Sequence, residues 1–341
     1  MGLFSKPAFG LDISDLSVEV VQLGEERKIA SHNRVDIDFG VVENGKILKQ
    51  EILIQSIEKA IKGAKPKPPQ GDQVVASLPD SQLFASVFQI AYPADKKDFE
   101  SRLLDQVKQN LPLDLDEFYM DYCVSFPDTE KQQVLFVTAP KEIVNNYFKT
   151  LVAAGLKPVA LGMESGCLGR CLLKSDFVDK SVMIVDIGAR TSIISVFKPA
   201  GPCFSMNVPV AGNEFSQKIS QSLDIKFAQA EELKIKFGIA GEGDKQGVGD
   251  IIKKEMRPII DQIKQAKEYH AQRLSMDLKK ILLVGGTSAM KGLPQYFQEQ
   301  LGVDVAVGNT KKRPMYTAYG LALRGLAKDP RMDGINLLPQ Q

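Results

Sequence analysis

Residues 184–189 read IVDIGA, and residues 9–14 read FGLDIS. Each is an apolar strand that ends in Asp, one apolar residue and a small residue. Each then passes through a short turn into a second apolar strand, SVEVVQL (17–23) after the first and SIISVF (192–197) after the second. A strand–turn–strand with an acid at its tip suits a phosphate–metal complex. Small residues let backbone N–H groups approach the phosphate, and the carboxylate reaches a hydrated Mg²⁺. Two such copies point to two similar domains facing one nucleotide.

A chain of 341 residues exceeds what one typical core supports, which agrees with two domains. With 43 basic and 42 acidic residues, the net charge of +1 argues against a surface built on nucleic-acid backbone contacts. Cys123, Cys167, Cys171 and Cys203 form no CxxC pair, and only two histidines occur. Buried reduced thiols in a cytosolic chain are expected rather than zinc. No apolar run approaches the roughly 20 residues of a membrane helix. The start MGLFSKP has neither the apolar core of a signal peptide nor the Ser or Thr of a myristoylation site.

Outward from the first phrase, residues 8–42 alternate apolar and polar and predict a three-stranded meander. Residues 47–63 have helical spacing and end at a glycine, KPKPPQG is a linker, and QVVASLP is a buried strand. A separate α+β block is predicted from about 82 to 160. It comprises a strand pair in QLFASVFQIAYP, a helix in 95–112 with Phe99, Leu103, Leu104 and Val107 inward, two strands, and a helix closed by Gly155. A strand-to-helix segment follows at 156–173, then the second hairpin, a further strand and two helices. The glycine-rich stretch 238–249 is expected to be a flexible connection, since no GxxxxGK[ST] occurs. Residues 250–274 predict a long amphipathic helix that Pro258 kinks or restarts. KKILLVGGTSAMKGL predicts a buried strand opening into a helix, with Gly285 and Gly286 allowing close approach of a ligand. MYTAYGLALRGLA predicts a helix whose Ala318, Gly320 and Ala322 let another backbone pack close. Strands separated by helices in two related halves indicate an α/β fold.

In this order the pieces resemble the actin-like ATPase superfamily. FGLDISDLS resembles its first phosphate loop, and LGMESGCLGRCLL (161–173) its first connecting helix. VDIGARTS resembles the second phosphate loop, LVGGTSAMKGL the adenosine motif, and YTAYGLALRGL the second connecting helix. The implied fold is an actin-like (ribonuclease H-like) two-domain nucleotide-binding clamp. The block at 82–160 stands where FtsA and the PilM family of type IV pilus assembly proteins carry an insertion subdomain. LPLDLDEFYMDYCV, VTAPKEIVNNYFKTLVAAGLKP and VPVAGNEFSQKISQSLDIKFAQAEELK are specifically similar to PilM sequences. The resemblance implies a first domain from 1–177 and 315–330, including the insertion. It implies a second domain from 178–314, with a smaller subdomain at 208–280, and a tail at 331–341.

The same resemblance assigns residues. Asp12 and Asp186 would orient Mg²⁺-bound water around the phosphates of ATP or ADP, and Glu164 would position the attacking water. Ser14, Ser17, Gly188, Thr191 and Ser192 would face phosphate. Glu231 and Lys234 would hold the ribose, and Gly285, Gly286 and Ser288 would wall the adenosine. The alternatives are turn aspartates that bind their own backbone, and an i,i+3 surface ion pair for Glu231 and Lys234. The first loop departs from the family's glycine and hydroxyl pattern at Ser14, Asp15, Leu16 and Glu19. Ser14 is expected to obstruct backbone approach and Asp15 to set a negative charge near the phosphates. Nucleotide binding with slow or absent hydrolysis is therefore expected, at most a weak ATPase.

The tail DGINLLPQQ resembles the peptide at the cytosolic N-terminus of PilN, the membrane partner of PilM proteins. That peptide docks between the first domain and the insertion. Ile335, Leu337 and Leu338 would be apolar anchors, Asn336 a backbone ligand, and Pro339 a brake on chain entropy. The tail is expected to fill the partner groove, in cis or from a neighbouring molecule, or simply to pack on its own domain. The implied role is a scaffold beneath the inner membrane, serving a pilus or a type II secretion machine. It would bind no nucleic acid and would not insert in the membrane. The alternatives are an FtsA-like division protein, against which the lack of a terminal amphipathic helix counts, and a small-molecule kinase of the same fold.

Overall fold

The computed structural model describes residues 7–92, 95–110, 114–127, 131–173, 181–198, 201–274, 278–308 and 315–339. The chain divides into two compact units. One is Met1–Lys174 with Ala200–Phe204 and Arg313–Gln341, and the other is Ser175–Pro199 with Ser205–Lys312. The domain boundaries expected at 177/178 and 314/315, and the tail's last two residues, fall at least partly outside the described residues.

With elements numbered along the chain, the first Asp-Ile phrase is β1 (Phe9–Ile13). It pairs antiparallel with β2 (Ser17–Leu23), which pairs antiparallel with β3 (Ile29–Asp36), the expected meander. β1 and β2 are buried at every position, so these strands read as apolar runs. A small hairpin follows, β4 (Val42–Glu43) and β5 (Lys46–Ile47). Helix α1 (Gln50–Lys62) buries Leu53, Ile57 and Ala60, spaced to share one face, and stops at Gly63. β6 (Gln73–Leu78) lies parallel to β1, and β10 (Lys157–Met163) lies parallel to β6. The sheet order is β10-β6-β1-β2-β3.

Between β6 and β10 come β7 (Phe84–Ala91), α2 (Lys96–Asn110), β8 (Phe118–Pro127), β9 (Lys131–Pro140) and α3 (Lys141–Ala153). β7 is one strand where a strand pair was expected, because all of Phe84–Ala91 aligns against β9 without a turn. The sheet order is β7-β9-β8. Phe99, Leu103 and Val107 of α2 cover Phe88, Ile90, Val134 and Phe136. Leu104 does not join them and is 38% exposed. The opposite face carries Leu135 and Val137. With Val144, Tyr147 and Leu151 of α3 these belong to the same core as Leu11 and Leu53. The block lies within the first compact unit, and its inner face shares the first sheet's core.

Helix α4 (Glu164–Leu172) follows β10, and α9 (Tyr316–Gly325) returns to pack on α4 and β1. Their approach is backbone to backbone. A Cβ on Gly10 would overlap Ala318 O, one on Gly320 would overlap Cys167 O, and one on Gly325 would overlap Ala8 O. The expected small-residue face of α9 thus has its partners.

In the second unit, β11 (Ser181–Ile187) and β12 (Ser192–Lys198) form the second hairpin. Then come β13 (Gly201–Val208), α5 (Gly212–Leu223), α6 (Phe227–Phe237), α7 (Val248–Leu274), β14 (Leu278–Val284), α8 (Leu293–Leu301) and β15 (Asp304–Val307). β14 is parallel to both β11 and β15, and the order is β13-β12-β11-β14-β15. Strand for strand this repeats the first sheet, so the duplicated phrase marks a duplicated fold. Helix α7 runs through Pro258 without a break in assignment, and the ring sits at an exposed position where water can bond the carbonyl its missing N–H leaves. The glycine-rich connection is ordered rather than loose. Ile239 and Ala240 N–H bond to Lys291 O, and Asp244 accepts from the amides of Gln246 and Gly249. β14 opens into a 3-10 turn at Gly286–Ala289, not directly into a helix, and α8 begins only after Gly292.

The packing of α9 on α4 predicts opposite outcomes for two glycines. Gly320→Ala forces two backbones apart and should lower unfolding stability by about 1–3 kcal/mol in urea denaturation. Gly166→Ala, whose nearest atom beyond its own surroundings is Met163 Cβ at 3.9 Å, should be neutral or stabilise α4 by up to about 1 kcal/mol.

Candidate functional site

The first loop closes on itself. Ser14 N–H donates to Ser17 O at 2.9 Å, forming the four-residue turn that joins β1 to β2. Within it, Ser14 Oγ accepts from the N–H groups of Ser17 (3.1 Å) and Leu16 (3.4 Å) and lies 3.0 Å from Ser17 Oγ. The Ser14 side chain thus occupies two amides of its own turn. Asp15 has a partner that its local sequence does not indicate. Its carboxylate turns toward the β4–β5 hairpin, accepting from Asn44 N–H at 2.8 Å and Gly45 N–H at 2.9 Å.

Asp12, at the end of β1, is 8% exposed and accepts from Ser77 Oγ at 2.5 Å. Burial pushes its carboxyl above the ordinary carboxylate range, against the opposing pull of Ser77 and Arg34. Glu19 lies across the ladder from Asp12, and Arg34 lies across from Glu19 and binds it at 2.7 Å. Glu164 opens α4, and its Oε2 accepts from Asp80 N–H at 3.2 Å. Glu164, Asp12 and Asp15 all act on the buried Tyr147 hydroxyl. Burial raises its pKa first, and these three carboxylates raise it further.

The second unit draws its candidate residues together. Gly188 N–H donates to Thr191 O at 3.1 Å, the counterpart of the Ser14–Ser17 turn. Gly188 O accepts from Gly212 N–H at 3.1 Å and Thr287 Oγ1 at 3.3 Å. Gly212, the first residue of α5, accepts at its carbonyl from Lys234 Nζ at 2.9 Å. Lys234 also pairs with Glu231 at 2.7 Å, and Glu231 accepts from Ser216 Oγ at 2.5 Å. The ion pair therefore forms at i,i+3, but its lysine is buried and tied to α5. Gly285 has φ +85°, and a Cβ there would overlap Asp186 Oδ1 and Ile187 O. Ser288 Oγ donates to Gly285 O at 2.7 Å, while the Cβ position of Gly286 meets open space. The Ser192 hydroxyl is buried and donates to Val210 O at 2.6 Å. Gly212, Ser216 and Thr287 were not singled out from the sequence, where VPVAGNEFS and GGTSA offered only small residues beside the assigned ones.

The tail packs in cis on the first unit. Leu337 N–H donates to Leu161 O at 2.9 Å, and Leu161 N–H donates to Asn336 Oδ1 at 3.1 Å, so the segment bonds the open edge of β10. Asn336 N–H donates to Asp121 of β8 at 2.7 Å. Burial raises the Asp121 carboxyl pKa, opposed by the amides of Asn336 and Tyr122. Arg324 of α9 is 2% exposed and satisfies tail carbonyls with its guanidinium: Pro330 O and Ile335 O at 2.7 Å, Gly334 O at 3.3 Å. Ile335 and Leu337 enter the first unit's main core, worth roughly 1.5–3 kcal/mol each. Beside the segment runs a groove of about 1140 Å³ lined by Met120, Asp121, Phe148, Val159, Leu338 and Pro339.

Among the described residues no helix is long and apolar enough to cross a membrane, and no group of three or more His, Cys, Asp or Glu is placed to hold a metal. The chain resembles the cell division protein FtsA of Pseudomonas aeruginosa, with 26% identity over 73% of this chain; the match spans 65% of that protein's length. The fold resembles that of a PilM-PilN type IV pilus biogenesis complex with a TM-score of 0.78, at 20% identity over 94% of this chain and 99% of the other. It also resembles MreB 5 of Spiroplasma citri bound to AMPPNP, with a TM-score of 0.56, at 11% identity over 93% and 95% of the two chains. These likenesses make the two matched sheets an actin-like fold. The family model described as type IV pilus assembly protein PilM matches residues 10–326, so the chain belongs to the PilM family.

Proposed function

We propose that the chain is an ATP- or ADP-binding scaffold of the type IV pilus assembly platform, or of a related type II secretion platform. It would act at the cytoplasmic face of the inner membrane with slow or no hydrolysis. The observation that carries this reading is the inequality of the two loops. In the second unit Gly188 has no side chain to occupy the turn, and its carbonyl is tied to Gly212, whose own carbonyl holds the Lys234–Glu231 pair. In the first unit Ser14 fills its own turn.

In this reading the second unit offers the nucleotide a preset frame, with Thr191 near phosphate and Glu231 and Lys234 at the ribose. From the first loop, where Ser17 shares its hydroxyl and amide with Ser14, it gains little. Asp12 in the first unit and Asp186 in the second are the carboxylates that would reach a hydrated Mg²⁺ carried by the nucleotide. Glu164, fixed by the Asp80 amide, would orient a water molecule. Phosphoryl transfer depends on positioning and charge neutralisation, so a closed first loop slows it.

The family and the likeness to a PilM-PilN complex support a PilN-like membrane partner, engaged through its N-terminal peptide. The groove beside β8 and β10 is the slot we assign to that peptide. The cis segment Ile335–Pro339 would hold the slot closed until displaced, or would cross to a neighbouring molecule and join subunits. The alignment with FtsA favours a division role as the second reading. Direct flotation with anionic liposomes, in the absence of any partner, would support that reading instead.

Purified protein should bind Mg·ATP but turn it over far below the roughly 1–100 s⁻¹ of kinases, and Ser14→Gly should raise turnover about tenfold by freeing the amides. Turnover in the kinase range by the unmodified chain would refute the reading. A chain truncated before Asp333 should bind a labelled DGINLLPQQ peptide about tenfold or more tightly than the full chain does, as fluorescence anisotropy reads it. Equal binding would remove the cis-occupancy argument.

A further inference from the structure

The turn Asn44–Gly45, at the tip of the β4–β5 hairpin, is held by side chains from three other segments of the first unit. Asp15 of the first loop accepts from both turn amides, at 2.8 and 2.9 Å. The Tyr147 hydroxyl of α3 donates to Gly45 O at 3.0 Å. Ser81 Oγ and Gln82 Nε2, in the connection from β6 to β7, donate to Asn44 O at 3.2 and 2.7 Å. Both N–H and both C=O groups of this turn are thus committed to side chains. The turn residues have φ of +48° and +75°, the arrangement of a tight two-residue hairpin turn, and a Cβ on Gly45 would overlap Pro79. Such a turn cannot shift without moving its partners.

Helix α3 carries this connection onward. Tyr147 is fully buried, and the next residue, Phe148, lines the tail groove. Asp15 at one end and Phe148 at the other are thus joined by hydrogen bonds, a rigid turn and one helix.

We infer that Asp15 is a positioning residue that couples the state of the first loop to the tail groove, through the Asn44–Gly45 turn and Tyr147. This rests on the nucleotide reading above. A phosphate approaching the first loop competes with Ser14 Oγ for the amides of Leu16 and Ser17. Turning those amides outward rotates the peptide unit that carries Asp15 and pulls on its carboxylate's bonds to the hairpin turn. The carboxylate then releases one turn amide, the Tyr147–Gly45 bond loosens, and α3 shifts with Phe148. The favourable phosphate contact is offset by opening the loop, so it changes affinity little while it moves the groove. Reciprocity requires an occupant of the groove to change nucleotide affinity by the same factor.

Hydrogen exchange of the full-length chain tests this at the Leu337 and Leu338 amides, which bond to Leu161 O and Asn336 Oδ1. Saturating Mg·ATP should speed their exchange about fivefold in the unmodified chain. Tyr147→Phe removes only the hydroxyl, so it should bind Mg·ATP within about twofold of the unmodified chain yet lose most of that acceleration. Asp15→Asn, measured in the same way, provides the second variant if Tyr147→Phe does not fold. An undiminished ATP response in the variant, or an unmodified chain that binds ATP with unchanged tail exchange, would overturn the coupling and leave the nucleotide reading intact. Failure of the unmodified chain to bind nucleotide at all would remove both.

Discussion

The close approach of α9 to β1 and α4 is the constraint on which the first unit depends. Three glycines, Gly10, Gly320 and Gly325, let main chain meet main chain where any Cβ would collide with a carbonyl. That contact fixes the strand that carries Asp12 and the helix that Glu164 opens. It also places Arg324 so that its guanidinium faces inward among the tail's carbonyls instead of toward solvent. A buried guanidinium without such acceptors would be strongly destabilising. The loop, the connecting helix and the tail are therefore mechanically one assembly. A change in any of them meets the same rigid joint.

The two hairpins show how a duplicated fold can carry unequal chemistry. Their strand partners, turn lengths and closing hydrogen bonds correspond, from Ser14–Ser17 to Gly188–Thr191. The difference lies in one side chain. A hydroxyl at the first turn position bonds the Leu16 and Ser17 amides, where the second turn has a glycine with no side chain, and the next residue, Asp15, is drawn into an unrelated hairpin. Backbone geometry is kept while two loop amides are taken up by a side chain. In the proposed reading, this suits a domain retained for switching or docking rather than turnover.

Much of this was legible in the sequence, because it rests on periodicity and on small residues at fixed places. Apolar runs ending in Asp gave both hairpins, and the alternation of Ala and Gly in α9 gave its close contact. Other features depend on long-range partners that spacing does not encode. Nothing near Asp15 in the sequence names Asn44 and Gly45 as the donors to its carboxylate. The insertion has a full set of strands and helices of its own, yet Leu135 and Val137 share one core with α3 and with Leu11 and Leu53 of the rest of the first unit. Leu104 has helical spacing close to that of the buried face yet lies outside it. The ordered glycine connection owes its shape to Lys291, some fifty residues away.

In the proposed reading, nucleotide affinity resides in the second unit, around the buried Lys234 and its partner Glu231. Isothermal titration of Mg·ATP into Lys234→Met and Ser17→Ala variants tests it most directly. Lys234→Met should weaken binding about tenfold or more, since it removes a buried charge that organises Gly212 and Glu231, while Ser17→Ala should change it by less than about threefold. The reverse order, with the serine variant impaired and the lysine variant unaffected, would contradict the account.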